Sequence, residues 1–128
     1  MKAQELSANE LRIGNYVFGK SPEREKWEEP YIIGLWDLES LLYHKERINI
    51  KPIPITEEWL LKLGFHKIAE DDFDKTFGIG QISIRKSKLY ISDKSGVYLN
   101  QKRIAIIQYV HQLQNLYFAL TGQELKTK

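Results

Sequence analysis

Apolar and polar positions repeat with two different periods along this chain, and the clearer one comes last. In residues 106–122, IIQYVHQLQNLYFALTG, a turn of about 100° per residue gathers Ile106, Tyr109, Val110, Leu113, Leu116, Tyr117 and Leu120 into an arc of roughly 120°. That stripe predicts an amphipathic helix. Gln108, His111, Gln112, Gln114 and Asn115 lie outside the stripe, and Gly122 stands where a left-handed C-terminal cap belongs. Phe118 breaks the pattern, because it falls on the far side beside His111 and Asn115. An aromatic ring on a polar face predicts a second contact surface, supplied by a subunit partner or by the N-terminal segment of the same chain. Two-fold contacts are the commonest assemblies, which makes a homodimer through Phe118, His111 and Asn115 the expectation.

The second period is two. Ile82 and Ile84 alternate with Ser83 and Arg85, Leu89 and Ile91 with Tyr90 and Ser92, and Val97 and Leu99 with Tyr98. Breaks at Lys86-Ser87 and at Asp93-Lys94-Ser95-Gly96 read as hairpin turns, the second with Gly96 at positive φ. A last strand over 103–106 feeds the final helix. Upstream, Pro52 and Pro54 make 51–55 an extended connector. Thr56 is an N-cap for a short helix over 57–63, with Glu57 and Glu58 at its positive end, Gly64 as its stop, and Trp59, Leu60 and Leu63 facing inward. Before the prolines, 11–18 (LRIGNYVF), 31–36, 41–43 and 48–50 read as strands of a small β module, with Lys45-Glu46-Arg47 at a turn. Residues 19–30 form a charged loop. The fold class is therefore α+β in one domain spanning 1–128. An N-terminal small β module (11–55) precedes a short helix and an antiparallel β-meander, with one C-terminal amphipathic helix packed on the sheet (56–128).

Composition narrows the function. With 42% apolar and 28% charged residues, the 128-residue chain has the balance of an ordinary globule. No apolar run approaches membrane-spanning length, and the opening MKAQELSANE holds no secretory core. Cysteine is missing, which removes disulfides, thiolate metal sites and cysteine nucleophiles and fits a cytoplasmic setting. The net charge of +2 is spread among acids and gives little support for a duplex-binding face.

Candidate chemistry is sparse. His44, His66 and His111 with Glu70, Asp71, Asp72 and Asp74 lack the spacing of a metal motif, so the acidic run reads as a solvated loop between strands. Gly78-Ile79-Gly80 precedes a strand rather than a helix, so it reads as a tight turn and not a phosphate cradle. No serine sits in a Gly-x-Ser-x-Gly elbow. The richest group is aromatic and cationic: Arg24, Trp27, Tyr31, Trp36, Tyr43 and Arg47, with Lys26, His44 and Lys45 nearby. Aromatic faces beside cations stack bases and pair phosphates. The alternative for Tyr31 and Trp36 is packing.

Three stretches carry a resemblance. Residues 10–17 (ELRIGNYV), 53–65 (IPITEEWLLKLGF) and 109–122 (YVHQLQNLYFALTG) resemble, in that order, a family of small proteins of no established activity encoded in bacteriophage and prophage genomes. The segments between them match poorly. The resemblance implies an accessory protein acting in the cytoplasm of a bacterial host, and it carries over no catalytic residue. The expected function is non-enzymatic binding without a cofactor. One version binds a nucleotide or short single-stranded nucleic acid, sequestering a defence signal. The other docks on a host or viral protein through the Phe118 face and the Trp27 loop. An enzyme of unrecognised class is the third expectation.

Overall fold

The computed structural model describes Leu6 and residues 10–19, 30–43, 50–77, 80–86 and 94–127. Its elements, in chain order, are β1 (Tyr16–Gly19), β2 (Pro30–Ile32), α1 (Leu35–Tyr43), β3 (Ile50–Lys51), α2 (Glu57–Lys62), β4 (His66–Ala69), β5 (Asp72–Phe77), β6 (Gly80–Lys86), β7 (Ser95–Leu99), β8 (Lys102–Ile107) and α3 (Val110–Thr121). They form an α+β fold with two antiparallel sheets: a small one ordered β2-β1-β3 and a meander ordered β4-β5-β6-β7-β8.

Alternation builds the meander as expected. Ile82, Ile84 and Val97 point inward and are buried with Phe73, Ile107, Trp59, Leu60, Leu63, Val110, Leu113 and Tyr117. α3 and α2 thus cover one face of the sheet. Thr56 caps α2 by accepting from the Trp59 N–H at 3.2 Å, and Gly64, at φ 92°, ends it. β7 and β8 are joined by Asn100 and Gln101, both at positive φ (48° and 73°) as a tight primed hairpin demands. The Asn100 carboxamide accepts from the Gln81 N–H at 3.0 Å and ties this turn to β6.

β1 serves two cores. Tyr16 belongs to the large cluster and packs on Trp59, with ring centroids 5.5 Å apart. Val17, one residue on and facing the other way, joins Leu6, Leu11, Ile33 and Leu41 in a smaller cluster beneath α1.

Several expectations need correction. The strand expected over 31–36 stops at Ile32, and Leu41, Leu42 and Tyr43 are helical. The cause is Asp37, the third residue of α1, whose carboxylate reaches back to the Gly34 N–H at 2.7 Å and also accepts from the Tyr31 hydroxyl at 2.8 Å. This is half of a capping box built on a glycine N-cap, and Leu and Glu then propagate helix readily. The strand expected from Leu11 starts only at Tyr16. Ahead of it, the Asn15 side chain accepts from the Arg12 N–H at 2.6 Å and Gly14 sits at φ 97°, which makes a turn. Asp72 and Asp74 lie in β5, leaving only Glu70 and Asp71 in the turn.

Ile106, expected on the helix stripe, is an exposed strand residue of β8, and α3 begins at Val110. Leu116 and Leu120 pack against the core only partly buried. Gly122 does take the left-handed conformation, at φ 71°. Gly96 instead lies inside β7 without a positive φ, and a Cβ there would sit 3.1 Å from the Tyr98 ring, a tight fit. The turn at Lys45-Glu46-Arg47 and the strand around Leu89 and Ile91 lie outside the described residues.

Candidate interaction surface

α1 turns one face down and one face out. Asp37, Ser40 and Leu41 are buried, Leu41 in the cluster with Leu11, Val17 and Ile33. On the opposite side, at the helical pitch, Leu35, Trp36, Glu39, Leu42 and Tyr43 share an arc of roughly 120°, and all five are exposed. The apolar members keep much of their surface in solvent: Leu35 70%, Trp36 59%, Leu42 59% and Tyr43 74%. A single exposed leucine needs no explanation, but four large apolar side chains on one face of a nine-residue helix do.

Of the aromatic–cationic group, the structure brings Trp36 and Tyr43 onto this face. Tyr31 stands apart, on β2, with its hydroxyl held by Asp37. Burial, reinforced by that hydrogen bond and by the Asp37 charge, pushes the Tyr31 phenol up to about 12. Arg24, Trp27 and Arg47 lie outside the described residues.

Two of the residues around Phe118 are tied to the N-terminal segment of the same chain, while Phe118 itself stays 39% exposed. His111 is fully buried, and its Nε2 meets Glu10 Oε1 at 3.1 Å. Burial pushes the imidazole below its ordinary range, and the Glu10 carboxylate opposes that in part. The Asn115 carboxamide donates to the Glu10 carbonyl at 2.9 Å. It accepts from Arg12 Nε at 2.9 Å and from Asn15 Nδ2 at 2.8 Å. The Arg12 guanidinium then lies over the Phe118 ring, 4.3 Å from its centroid, and pairs with Glu124 at 2.8 Å. His111 and Asn115 are therefore not open to a second subunit. The N-terminal segment of the same chain covers them, and the homodimer expected through them loses its polar flank.

Gln114 falls outside the apolar stripe, which gives it no role. It is fully buried. Its Oε1 accepts from the Tyr16 N–H at 2.8 Å, and its Nε2 donates to the carbonyls of Gly14 at 3.2 Å and Leu125 at 3.1 Å. A glutamine facing three backbone groups from two distant segments leaves no periodic signal.

The three stretches that carried the resemblance meet in space. Residues 10–17 lie on α3 through these bonds. The connector before α2 pairs with the start of α3 through Val110 N–H to Ile53 C=O at 2.8 Å and Ile55 N–H to Gln108 C=O at 3.1 Å. They make the scaffold, whereas α1 lies in a segment between them.

One concavity, of about 330 Å³, opens between α2 and the β4–β5 turn over Leu60, Phe73 and Ile84. Lys67 bridges its rim, at 2.8 Å from Glu57 and 3.7 Å from Glu70. No expected site residue lines it. Among the described residues no group of three potential metal ligands converges, and no helix is long and apolar enough to cross a membrane. No protein-family model, no curated protein and no solved structure matches the chain.

Proposed function

We propose that this protein is a non-enzymatic binding module that docks on another protein through the outer face of α1. The observation that carries the reading is the exposure of Leu35, Trp36, Leu42 and Tyr43 on one side of a helix whose other side is anchored. Anchors repeated at seven-residue spacing are how an amphipathic helix enters an apolar groove. On the phage resemblance, the partner is a host or viral protein in a bacterial cytoplasm. A photo-crosslinking side chain at position 42, in cells, should give one adduct that Leu35→Glu abolishes. The same group at exposed Lys102 should give none. No adduct from position 42, or equal adducts from both positions, rejects the reading.

A second reading keeps some support, because Trp36 and Tyr43 present two aromatic rings on one exposed face. Stacking contributes about 1–3 kcal/mol per base. If a nucleotide or single strand is the ligand, its titration should change tryptophan fluorescence, and Trp36→Ala should weaken binding roughly tenfold. No response at millimolar nucleotide rejects it.

A further inference from the structure

We infer that Glu39 selects the occupant of the α1 face: an apolar groove on another protein that brings a lysine or arginine to its centre, and not α1 of a second copy. The inference rests on the docking reading above and adds the chemistry of the partner.

The face is symmetric in sequence about Glu39. Leu35 and Trp36 lie four and three residues before it, Leu42 and Tyr43 three and four after it. The two apolar pairs are therefore two turns, about 10 Å, apart along the helix. Glu39 falls at the middle of the exposed arc. Such a pattern is self-complementary in shape. If two copies of α1 packed antiparallel across a two-fold axis at Glu39, Trp36 would face Leu42 and Leu35 would face Tyr43, each aromatic against a leucine. At their observed exposures, the four apolar side chains offer on the order of 500–600 Å². That is as large as the largest patch on a typical monomer, and the rim around it would bring the area near the ~800 Å² per partner of a standard interface.

Charge decides against the second copy. The same axis would press Glu39 against Glu39 while removing both from water, a repulsive element at the centre of an otherwise matching surface. No neighbour neutralises it: among the described residues Glu39 takes part in no ion pair. Asp37, the other carboxylate of α1, is buried and committed to Gly34 and Tyr31, so the face carries one charge. A groove with a central cation turns that charge into a charge-assisted hydrogen bond.

Two measurements on the full chain test this. In light scattering, the wild type should be monomeric, Glu39→Leu should dimerise, and adding Leu42→Glu to Glu39→Leu should restore the monomer. A wild-type dimer that Leu42→Glu dissociates, or a Glu39→Leu variant that stays monomeric, overturns the inference. The second probe is a synthetic amphipathic leucine-rich helix with one central lysine, compared with the same peptide carrying glutamate there, followed by tryptophan fluorescence. The lysine peptide should bind at least tenfold more tightly, with the order reversed by Glu39→Lys. Equal affinities, both lost in Leu42→Glu, would leave the docking face standing and remove the role of Glu39. Binding by neither peptide would remove both.

Discussion

Two helices of this protein invert the usual rule in opposite directions. α3 buries its polar side: His111 and Gln114 are as inaccessible as Leu113. α1 exposes its apolar side, and what it buries includes an aspartate and a serine. The difference lies in what each polar group finds. On α3 the N-terminal segment and the Leu125 carbonyl satisfy Gln114, and Glu10 pairs one ring nitrogen of His111 while its Nδ1 stays without a partner, so most of the cost of burying these groups is offset. On α1 the apolar side chains stay largely exposed, and the helix is held from beneath by Asp37 and Leu41. A polar face can thus be buried and an apolar face left open, which composition alone does not distinguish.

The sharpest way to break this comparison is to make one substitution in both helices. Leu113→Ala should cost about 2–5 kcal/mol as a buried large-to-small change. Leu42→Ala, on the open face, should stay within about 0.5 kcal/mol. Urea unfolding of the two variants measures the contrast, and equal losses would mean the α1 face is covered in solution.

Next in size, Gln114→Leu keeps the volume but strands the Tyr16 N–H and the Gly14 and Leu125 carbonyls. The loss should be on the order of 3 kcal/mol, since each orphaned buried group costs about 1–3 kcal/mol. A near-neutral result in the same assay would show that the polar face of α3 contributes little.

A smaller effect follows from His111. Its folded pKa lies below the unfolded value, so the unfolded chain takes up the proton first as pH falls. The stability that neutral His111 supplies is complete above the ordinary histidine range and is lost as pH falls from there toward the folded value. Unfolding free energies at pH 7.5 and 5.5 should therefore converge in His111→Gln relative to the wild type. An unchanged pH slope in that variant would assign the dependence elsewhere.

The smallest effect is at Tyr31. Its folded pKa is raised, from 10.0 to about 12, so its contribution is present below pH 10 and fades as pH rises through the folded value. Ultraviolet titration should show one tyrosine ionising late, absent in Tyr31→Phe, with little change in stability at neutral pH. A wild-type titration without that late step would show that Tyr31 is not held by Asp37.

Much of the scaffold was legible in the chain. Thr56, the prolines before it, the alternation through Ile82 and Ile84, and the stripe of Val110, Leu113 and Tyr117 each state their structure locally. α1 was hidden because its inward face is partly polar and its start is capped backward by Asp37 onto a glycine, so neither apolar period nor N-cap residue announces it. The β7–β8 turn was hidden because Asn100-Gln101 adopts two positive φ angles without a glycine. Of the candidate residues, Trp36 and Tyr43 were singled out by residue type, but they and their neighbours Leu35 and Leu42 were all read as strand, so the shared helical face went unseen. His111 and Asn115 were noticed for the right oddity, an aromatic on a polar face, and the covering segment proved to be the chain's own beginning.

That closure has a consequence for how the molecule is made. The bonds from Glu10, Arg12 and Asn15 to α3 span 100 to 105 residues. During synthesis, at about 5–20 residues per second, β1 emerges well before its docking site on α3. Local hairpins of the meander and α2 can form as soon as their own residues have emerged, but the small sheet closes against α3 only once Val110–Thr121 has been made. Non-local closure of this kind slows folding, and a chain lacking residues 109–128 should leave the Asn15 carboxamide and the Tyr16 N–H without their α3 partners while β1 keeps its pairing to β2 and β3.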